Sequence, residues 1–341
     1  MTTTTLRLTA AIRAHGGALP LLSGAIATDG LRLEHLRVEP QIAAYRRMVR
    51  ELAFDVCELA PTTYLCAKAF DKAFTAIPVF LTRDFHHHSV VCNLASGIKE
   101  PQDLRGKKFG VRAYTVTTGV WTRGILESEY GVDPATVTWY TDDEEHVTEW
   151  VAPPNVVRLP PGESLAEMIA AGRLDAALSG MAGIGRSGPP TANWEAAAAQ
   201  AVAAPTASSL VPLFPEARAL EQEWYRRTHI FPMHGLIVIR NSVLAEHPWV
   251  APELLRAFQA SKVLHLQRLD LAGPSTADDR HILEIQEIIG GGDPLPFGLE
   301  ANRPTLEALI RYAYSQKIIP RQVRPEEVFA VNALDLSSST T

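Results

Sequence analysis

Short apolar runs of strand length alternate along this chain with longer segments of helical period, and they do so in two separate sets. Strands joined by crossover helices give that alternation, so it calls for a parallel α/β sheet. In the first set Leu6 to Ile12, Leu31 to Leu36 and Phe54 to Leu59 read as strands, with Ile42 to Leu52 an amphipathic helix between the last two. In the second, Lys108-Phe109-Gly110-Val111 is followed by a helix from about Thr117 to Tyr130 and by the strand-like Val137 to Tyr140. Arg50-Glu51-Leu52-Ala53-Phe54-Asp55-Val56 and Ala171-Gly172-Arg173-Leu174-Asp175-Ala176-Ala177 repeat one device, a helix end and a tight connection with an Asp before a buried strand. Two sets carrying one repeated device predict two lobes.

Between the lobes the chain must cross and return. Two strongly β-prone runs suit that task, Ser89-Val90-Val91-Cys92-Asn93 and Gly235-Leu236-Ile237-Val238-Ile239-Arg240, and they are assigned as hinge strands. Residues 1–92 with 236–341 then form lobe 1, and 93–235 form lobe 2. The stretch Gly183 to Ser209, rich in Gly, Pro, Ala and Ser, reads as a loop or as a loop with an Ala-rich helix near Trp194 to Ala203. Pro252 to Leu271 and Pro304 to Gln316 read as amphipathic helices completing lobe 1, and the Ser/Thr tail from Ser337 as frayed.

With 341 residues, 46% of them hydrophobic and 21% charged, the chain can bury a core of two domains' size. A net charge of -6 with scattered basic residues gives no footprint for nucleic acid or an anionic membrane. No apolar run reaches the length of a membrane span. The opening Met1 to Leu8 has no basic flank followed by an apolar core, so the expected location is cytoplasmic. Cys57, Cys66 and Cys92 lie in apolar contexts without metal-ligand spacing and read as buried thiols.

Asp103-Leu104-Arg105-Gly106-Lys107-Lys108-Phe109-Gly110-Val111 resembles the entry to the second lobe of type 2 periplasmic-binding proteins. Tyr114, Val120-Trp121-Thr122-Arg123-Gly124-Ile125-Leu126 and Glu129-Tyr130-Gly131-Val132 resemble the 4,5-dihydroxyphthalate decarboxylase family within that fold. So do Tyr225-Arg226-Arg227-Thr228-His229-Ile230-Phe231-Pro232-Met233-His234 and Gly298-Leu299-Glu300-Ala301-Asn302-Arg303, and the similarity runs from Leu6 to about Ala330. The resemblance implies a two-lobed α/β fold with a ligand cleft between the lobes and two crossing hinge strands. It also implies a carboxy-lyase that removes CO2 from a dihydroxylated phthalate to give protocatechuate. Three segments depart from the family pattern: His86-His87-His88-Ser89 carries an additional His, Ser179 to Gly185 lacks a Pro-rich run, and Asp293-Pro294-Leu295-Pro296-Phe297 replaces a more aromatic one.

An ionised aromatic diacid needs cations or N–H donors for its carboxylates, a group that takes or holds a phenolic proton, and an acid that protonates the ring carbon losing CO2. In a bilobal fold, residues just after strands are the first to consider for these roles. Tyr114, Thr115, Thr117 and Thr118 follow Val111 and stand at the start of a helix, where unpaired N–H groups and the dipole favour an anion, although Thr117 or Thr118 can equally act as a cap. Arg13, Arg83 and Arg123 are candidates for a bidentate clamp on the other carboxylate, against ordinary ion pairing.

His87, His88 and His234 precede the two hinge strands, and Glu58 ends a strand, so these four are the catalytic candidates. Strand alternation would send His87 to the face opposite His86 and His88. His86, His88, His234 and Glu58 are also a possible zinc or manganese set, though no local spacing fixes them together, and a reaction without a cofactor is the first expectation. There is no dinucleotide fingerprint or P-loop, since Gly290-Gly291-Gly292 suits a turn. The alternatives are a non-catalytic protein that captures an aromatic or organic acid, and the same scaffold acting on another hydroxylated benzoate. The exposed face of Pro252 to Leu271 offers a surface for homo-oligomers.

Overall fold

The protein is described from a computed structural model that covers residues 5–185 and 210–334. The chain forms two compact units, Met1–Asp84 with Trp224–Ile310 and Gln322–Thr341, and Phe85–Glu223 with Arg311–Arg321. The expected helix at Trp194 to Ala203 and the tail from Ser337 lie outside the described residues.

The first unit is built on a sheet of five strands: β1 (Leu6–Ala11), β2 (Leu31–His35), β3 (Val56–Leu59), β4 (Phe74–Arg83) and β11 (Met233–Arg240). Their order is β2-β1-β3-β11-β4; β1 runs parallel to β2 and β3, while β11 is antiparallel to β3 and β4. The helices α1 (Leu19–Leu22), α2 (Gln41–Glu51) and α3 (Pro61–Ala69) make the connections. Leu8, Ile12, Val56, Ile77, Val79, Ile237 and Ile239 pack with Leu254 and Phe258 of the helix Val250–Ala272 as one buried cluster. Each such side chain contributes about 1.5–3 kcal/mol by leaving water. The pairing of β11 with β4 shifts between Leu236 and Ile237, from Phe80 to Ile77, and Pro78, which cannot donate to a ladder, falls in that bulge.

The second unit carries six strands: β5 (Val90–Asn93), β6 (Lys108–Gly110), β7 (Thr138–Thr141), β8 (Val156–Arg158), β9 (Ala176–Leu178) and β10 (Leu210–Pro212). They are ordered β10-β5-β9-β6-β7-β8, with β9, β6, β7 and β8 parallel. Helix α4 (Thr117–Tyr130) follows β6, and α5 (Leu165–Ala170) precedes β9. The segments read as hinge strands are ladder members of separate sheets, Val90–Asn93 beside β9 and β10, and Met233–Arg240 beside β3 and β4. The helix Arg303–Ser315, expected to lie wholly in the first lobe, is divided between the units at Ile310 and Arg311.

The repeated device has one physical purpose in both units. The tight connection is a left-handed residue, Leu52 (φ 53°) after α2 and Gly172 (φ 69°) after α5. The following Asp then ties its strand to the parallel neighbour. The N–H of Asp55 donates to the Thr9 carbonyl, and its carboxylate accepts from Thr9 N–H at 2.9 Å and Thr9 Oγ1 at 2.7 Å. Asp175 donates to the Lys108 carbonyl and accepts from Lys108 N–H at 2.8 Å. Because Asp55 takes two side-chain bonds and Asp175 one, Asp55→Ala is expected to cost on the order of 2 kcal/mol and Asp175→Ala on the order of 1 kcal/mol, measured by urea unfolding.

Candidate active site

In an open α/β sheet the strand order reverses at a switch point, and the loops beyond the carboxyl ends of the two strands flanking it are free to bind ligands. In the first unit β1 lies between β2 and β3, so the switch point is at the ends of β1 and β3. Glu58 of β3 is 2% exposed there and is met by three donors. They are Arg13 N–H at 2.9 Å, Tyr45 Oη at 3.1 Å, and His15 Nε2 at 3.0 Å to Oε1 and 3.1 Å to Oε2. Burial alone raises the Glu58 pKa, but the His15 imidazole and the Arg13 N–H outweigh it and hold the carboxyl below its usual range. The Tyr45 hydroxyl is pushed far up by burial and by the Glu58 charge. Gly235 of β11 makes room for this carboxylate, since a Cβ there would stand 2.9 Å from Oε1, and its φ of 63° is itself one that glycine favours.

His15 and Tyr45 were not among the sequence candidates. The available signal was His15-Gly16-Gly17 directly after the first strand. Gly16 lets the loop press against His265, whose Cε1 would be 2.3 Å from a Cβ at that position.

The other first-unit candidates have structural partners. Arg13 is exposed and its side chain pairs with Asp278 at 2.8 Å; its backbone, not its guanidinium, serves Glu58. Arg83 is buried, and its guanidinium bonds the Phe231 carbonyl at 2.6 Å, the Pro296 carbonyl at 2.9 Å and the Asn302 side chain, so the expected carboxylate clamp is instead an internal brace. His234, paired with Thr82 in the ladder, is held down to about 4 by burial and by the nearby Arg83 and His281.

The second unit has its own switch point, where β6 separates β9 from β7 and β8. After β6, buried Arg112 pairs with Asp143 at 3.0 Å. The N–H groups of Tyr114 and Thr115, expected to receive a ligand carboxylate, donate instead to Glu145 at 2.6 and 3.2 Å, and Thr115 Oγ1 joins them at 2.5 Å. Glu145 was not foreseen either; its carboxyl is raised by burial against the lowering effect of those three donors. Beyond it, α4 begins at Thr117 with neither threonine closing the helix as a side-chain cap, since Val116 holds the cap position without a side-chain bond. Thr117 is buried and Thr118 partly exposed.

Arg123 leans back along α4. It stacks 3.8 Å over the Tyr114 ring, bonds the Tyr114 carbonyl, and donates from Nε to Gln316 at 2.7 Å. Its Nη1 is buried without a hydrogen-bond partner among the described residues, 3.2 Å from where a Cβ on Gly119 would be.

The histidine run does not alternate as a strand would. His87–Ser89 is a 3-10 turn closed by Ser89 N–H to the His86 carbonyl at 3.2 Å, so His86 and His87 are both buried and His88 turns outward. His87 packs edge-on against Phe214 and Tyr130, and burial drives its pKa down to about 4. His88 Nδ1 meets buried Glu221 at 3.0 Å, with the imidazole half exposed. The metal set considered from the sequence is divided, Glu58 and His234 in one unit and His86 and His88 in the other. Among the described residues no three His, Cys, Asp or Glu side chains are grouped to hold a metal ion.

Two outcomes are expected. A histidine near 4 when folded and about 6.5 when unfolded binds its proton first in the unfolded chain, so its stabilising effect is complete above about pH 6.5 and is lost as the pH falls toward 4. His87→Phe, which keeps a ring between Phe214 and Tyr130, should therefore flatten the decline of the melting temperature across that interval. Gly235→Ala should displace the Glu58 carboxylate and cost on the order of 1–3 kcal/mol, read by thermal melting.

Comparison with known proteins bears on both units. The chain is 27% identical to the 4,5-dihydroxyphthalate decarboxylase of Comamonas testosteroni over 342 aligned residues, covering 97% of this chain and 98% of that one. It is 32% identical to the enzyme of the same name from Pseudomonas putida over 181 residues, 51% of this chain and 70% of the other. No family model matches. Among solved structures, the periplasmic sulfonate-binding protein SsuA of Methylobacillus flagellatus superposes with a TM-score of 0.52 at 12% identity, covering 99% of this chain and 97% of that one. That likeness concerns the fold, and it overturns the cytoplasmic placement expected from Met1 to Leu8, because a protein of the same fold is periplasmic by its own description. No helix among the described residues is long and apolar enough to cross a membrane. With the two-sheet α/β fold of type 2 periplasmic-binding proteins and these relatives, the chain belongs to the 4,5-dihydroxyphthalate decarboxylase family.

Proposed function

We propose that this protein removes one carboxyl group from 4,5-dihydroxyphthalate, giving protocatechuate and CO2. The observation that carries the proposal is the 27% identity to the Comamonas enzyme along 98% of its length. The family relation supports a carboxy-lyase type of reaction on a small aromatic acid. The substrate and the roles below are the finer reading.

In the second unit, the first-turn N–H groups of α4 at Thr118 and Gly119 suit a carboxylate, because the first turn of a helix has no intrahelical acceptors for them. The buried Nη1 of Arg123 beside Gly119 adds positive charge at that turn. His88 is the acid that protonates the ring carbon, since its imidazole is half exposed and its Nδ1 is held by Glu221 at 3.0 Å. His87 and His234, both held near 4, are neutral at pH 7 and do not suit that donor role. Taken by itself, the Glu58 cluster of the first unit has the chemistry to receive a phenolic proton. As that proton leaves, electron density moves into the ring; the carboxyl-bearing carbon takes a proton, the C–C bond breaks, and its electron pair restores the aromatic ring as CO2 departs.

The test is incubation of the full chain with 4,5-dihydroxyphthalate, following CO2 release and protocatechuate. Thr118→Val keeps the N–H and removes the partly exposed hydroxyl, which adds one bond to the same carboxylate, and is expected to raise KM roughly tenfold, the worth of one hydrogen bond to a charged group. Tight binding of the diacid with no product would replace catalysis by capture. Since the proton steps are assigned to side chains, a chelator should leave the rate unchanged; a loss restored by zinc or manganese would overturn that part.

A further inference from the structure

We propose that His15 is the residue that takes the phenolic proton, and that Glu58 is its positioning residue and does not itself move the proton; this rests on the decarboxylase reading. The carboxylate is poorly suited to the task. It is buried, held below the usual carboxylate range, and already accepts from His15, Arg13 N–H and Tyr45. A group with its acceptor sites so filled has little affinity left for a further proton.

The imidazole is placed otherwise. Both Glu58 oxygens lie within 3.1 Å of Nε2, and an ionised carboxylate can only accept, so Nε2 carries a hydrogen. In the neutral ring the lone pair is then at Nδ1. That atom is buried and has no hydrogen-bond partner among the described residues. Leaving a buried acceptor unpaired costs about 1–3 kcal/mol, so an ordinary core position would be expected to satisfy it. A carboxylate that fixes the tautomer and leaves the opposite nitrogen basic is the general arrangement of an oriented general base.

The loop is also fixed as such a role requires. His15 stands beyond the carboxyl end of β1, at the first unit's switch point. Glu58 holds it on one side, and Gly16 seats the same loop against His265 on the other. Small displacements of a proton-transfer group are costly in rate, and this loop is constrained from two directions.

The step balances. The phenolic O–H bond breaks with its proton going to Nδ1, and the electron pair left on oxygen enters the ring. The ring carbon gains a proton from the separate donor, and CO2 leaves without the C–C electron pair. His15 then returns its proton to the phenolate oxygen, so the reaction consumes one proton, replaced at the donor from solvent.

The test compares wild type, His15→Gln and Glu58→Gln on 4,5-dihydroxyphthalate, with melting temperatures recorded and nitrogen-15 NMR of the wild-type histidines. His15→Gln is expected to lower kcat by about 10² to 10⁴ with KM nearly unchanged, the usual share of a general base. NMR should show the neutral His15 ring with hydrogen on Nε2. A wild type that turns over while folded His15→Gln keeps nearly its rate overturns the proposal and leaves the decarboxylase reading intact. Absence of product from wild type overturns that reading, and this proposal with it. Hydrogen on Nδ1 in the neutral ring of wild-type His15 overturns the proposal whether or not the variants fold.

Discussion

A carboxylate taken out of water must be met by donors, and in the first unit that requirement at Glu58 organises everything near the switch point. The cost of desolvating such a charge, several kcal/mol, is offset only by good geometry from several partners at once. Here the partners come from three places in the chain: the β1 loop through Arg13 N–H and His15, α2 through Tyr45, and β11 through the vacant side-chain position of Gly235. The loop conformation, the tautomer of His15 and the glycine within β11 all follow from one buried charge.

The second unit solves the same problem several times. Asp143 is answered by Arg112, Glu145 by the N–H groups and hydroxyl around Thr115, and Glu221 by His88. Each acid fixes a turn close to an element that the proposed chemistry uses. The Glu145 bonds set the backbone just before α4, and Glu221 sets the outward turn of His88. Family membership gives this arrangement a chemical context, and the local electrostatics decide which groups within it suit a proton donor, a proton acceptor or an anion site.

Much of the fold was legible because strand and helix periods are written in consecutive residues. The boundaries of β1, β2 and α4 fell within a residue or two of the apolar pattern, and the repeated Asp device proved to be one stitch used twice. Strand β4 is not legible in the sequence because Pro78 interrupts its run, and its place in the sheet is possible only through the bulge opposite Leu236 and Ile237. A period of two does not hold across the histidine run, because a 3-10 turn places successive side chains at about 120° and buries His86 and His87 together.

The sequence by itself determined the element types, the two-set organisation and the family, since these depend on local period, turn chemistry and motif identity. It also supplied Glu58 as a residue of interest, because a charged side chain at the end of an apolar strand is conspicuous. Only the tertiary structure decided which partners each charge finds. Arg83 became a brace, Tyr114 and Thr115 turned to Glu145, and His15 joined Glu58 across 43 residues of chain. Hydrogen bonds act over about 3 Å in space and carry no mark of sequence separation, so such pairings exist only once the strands are side by side.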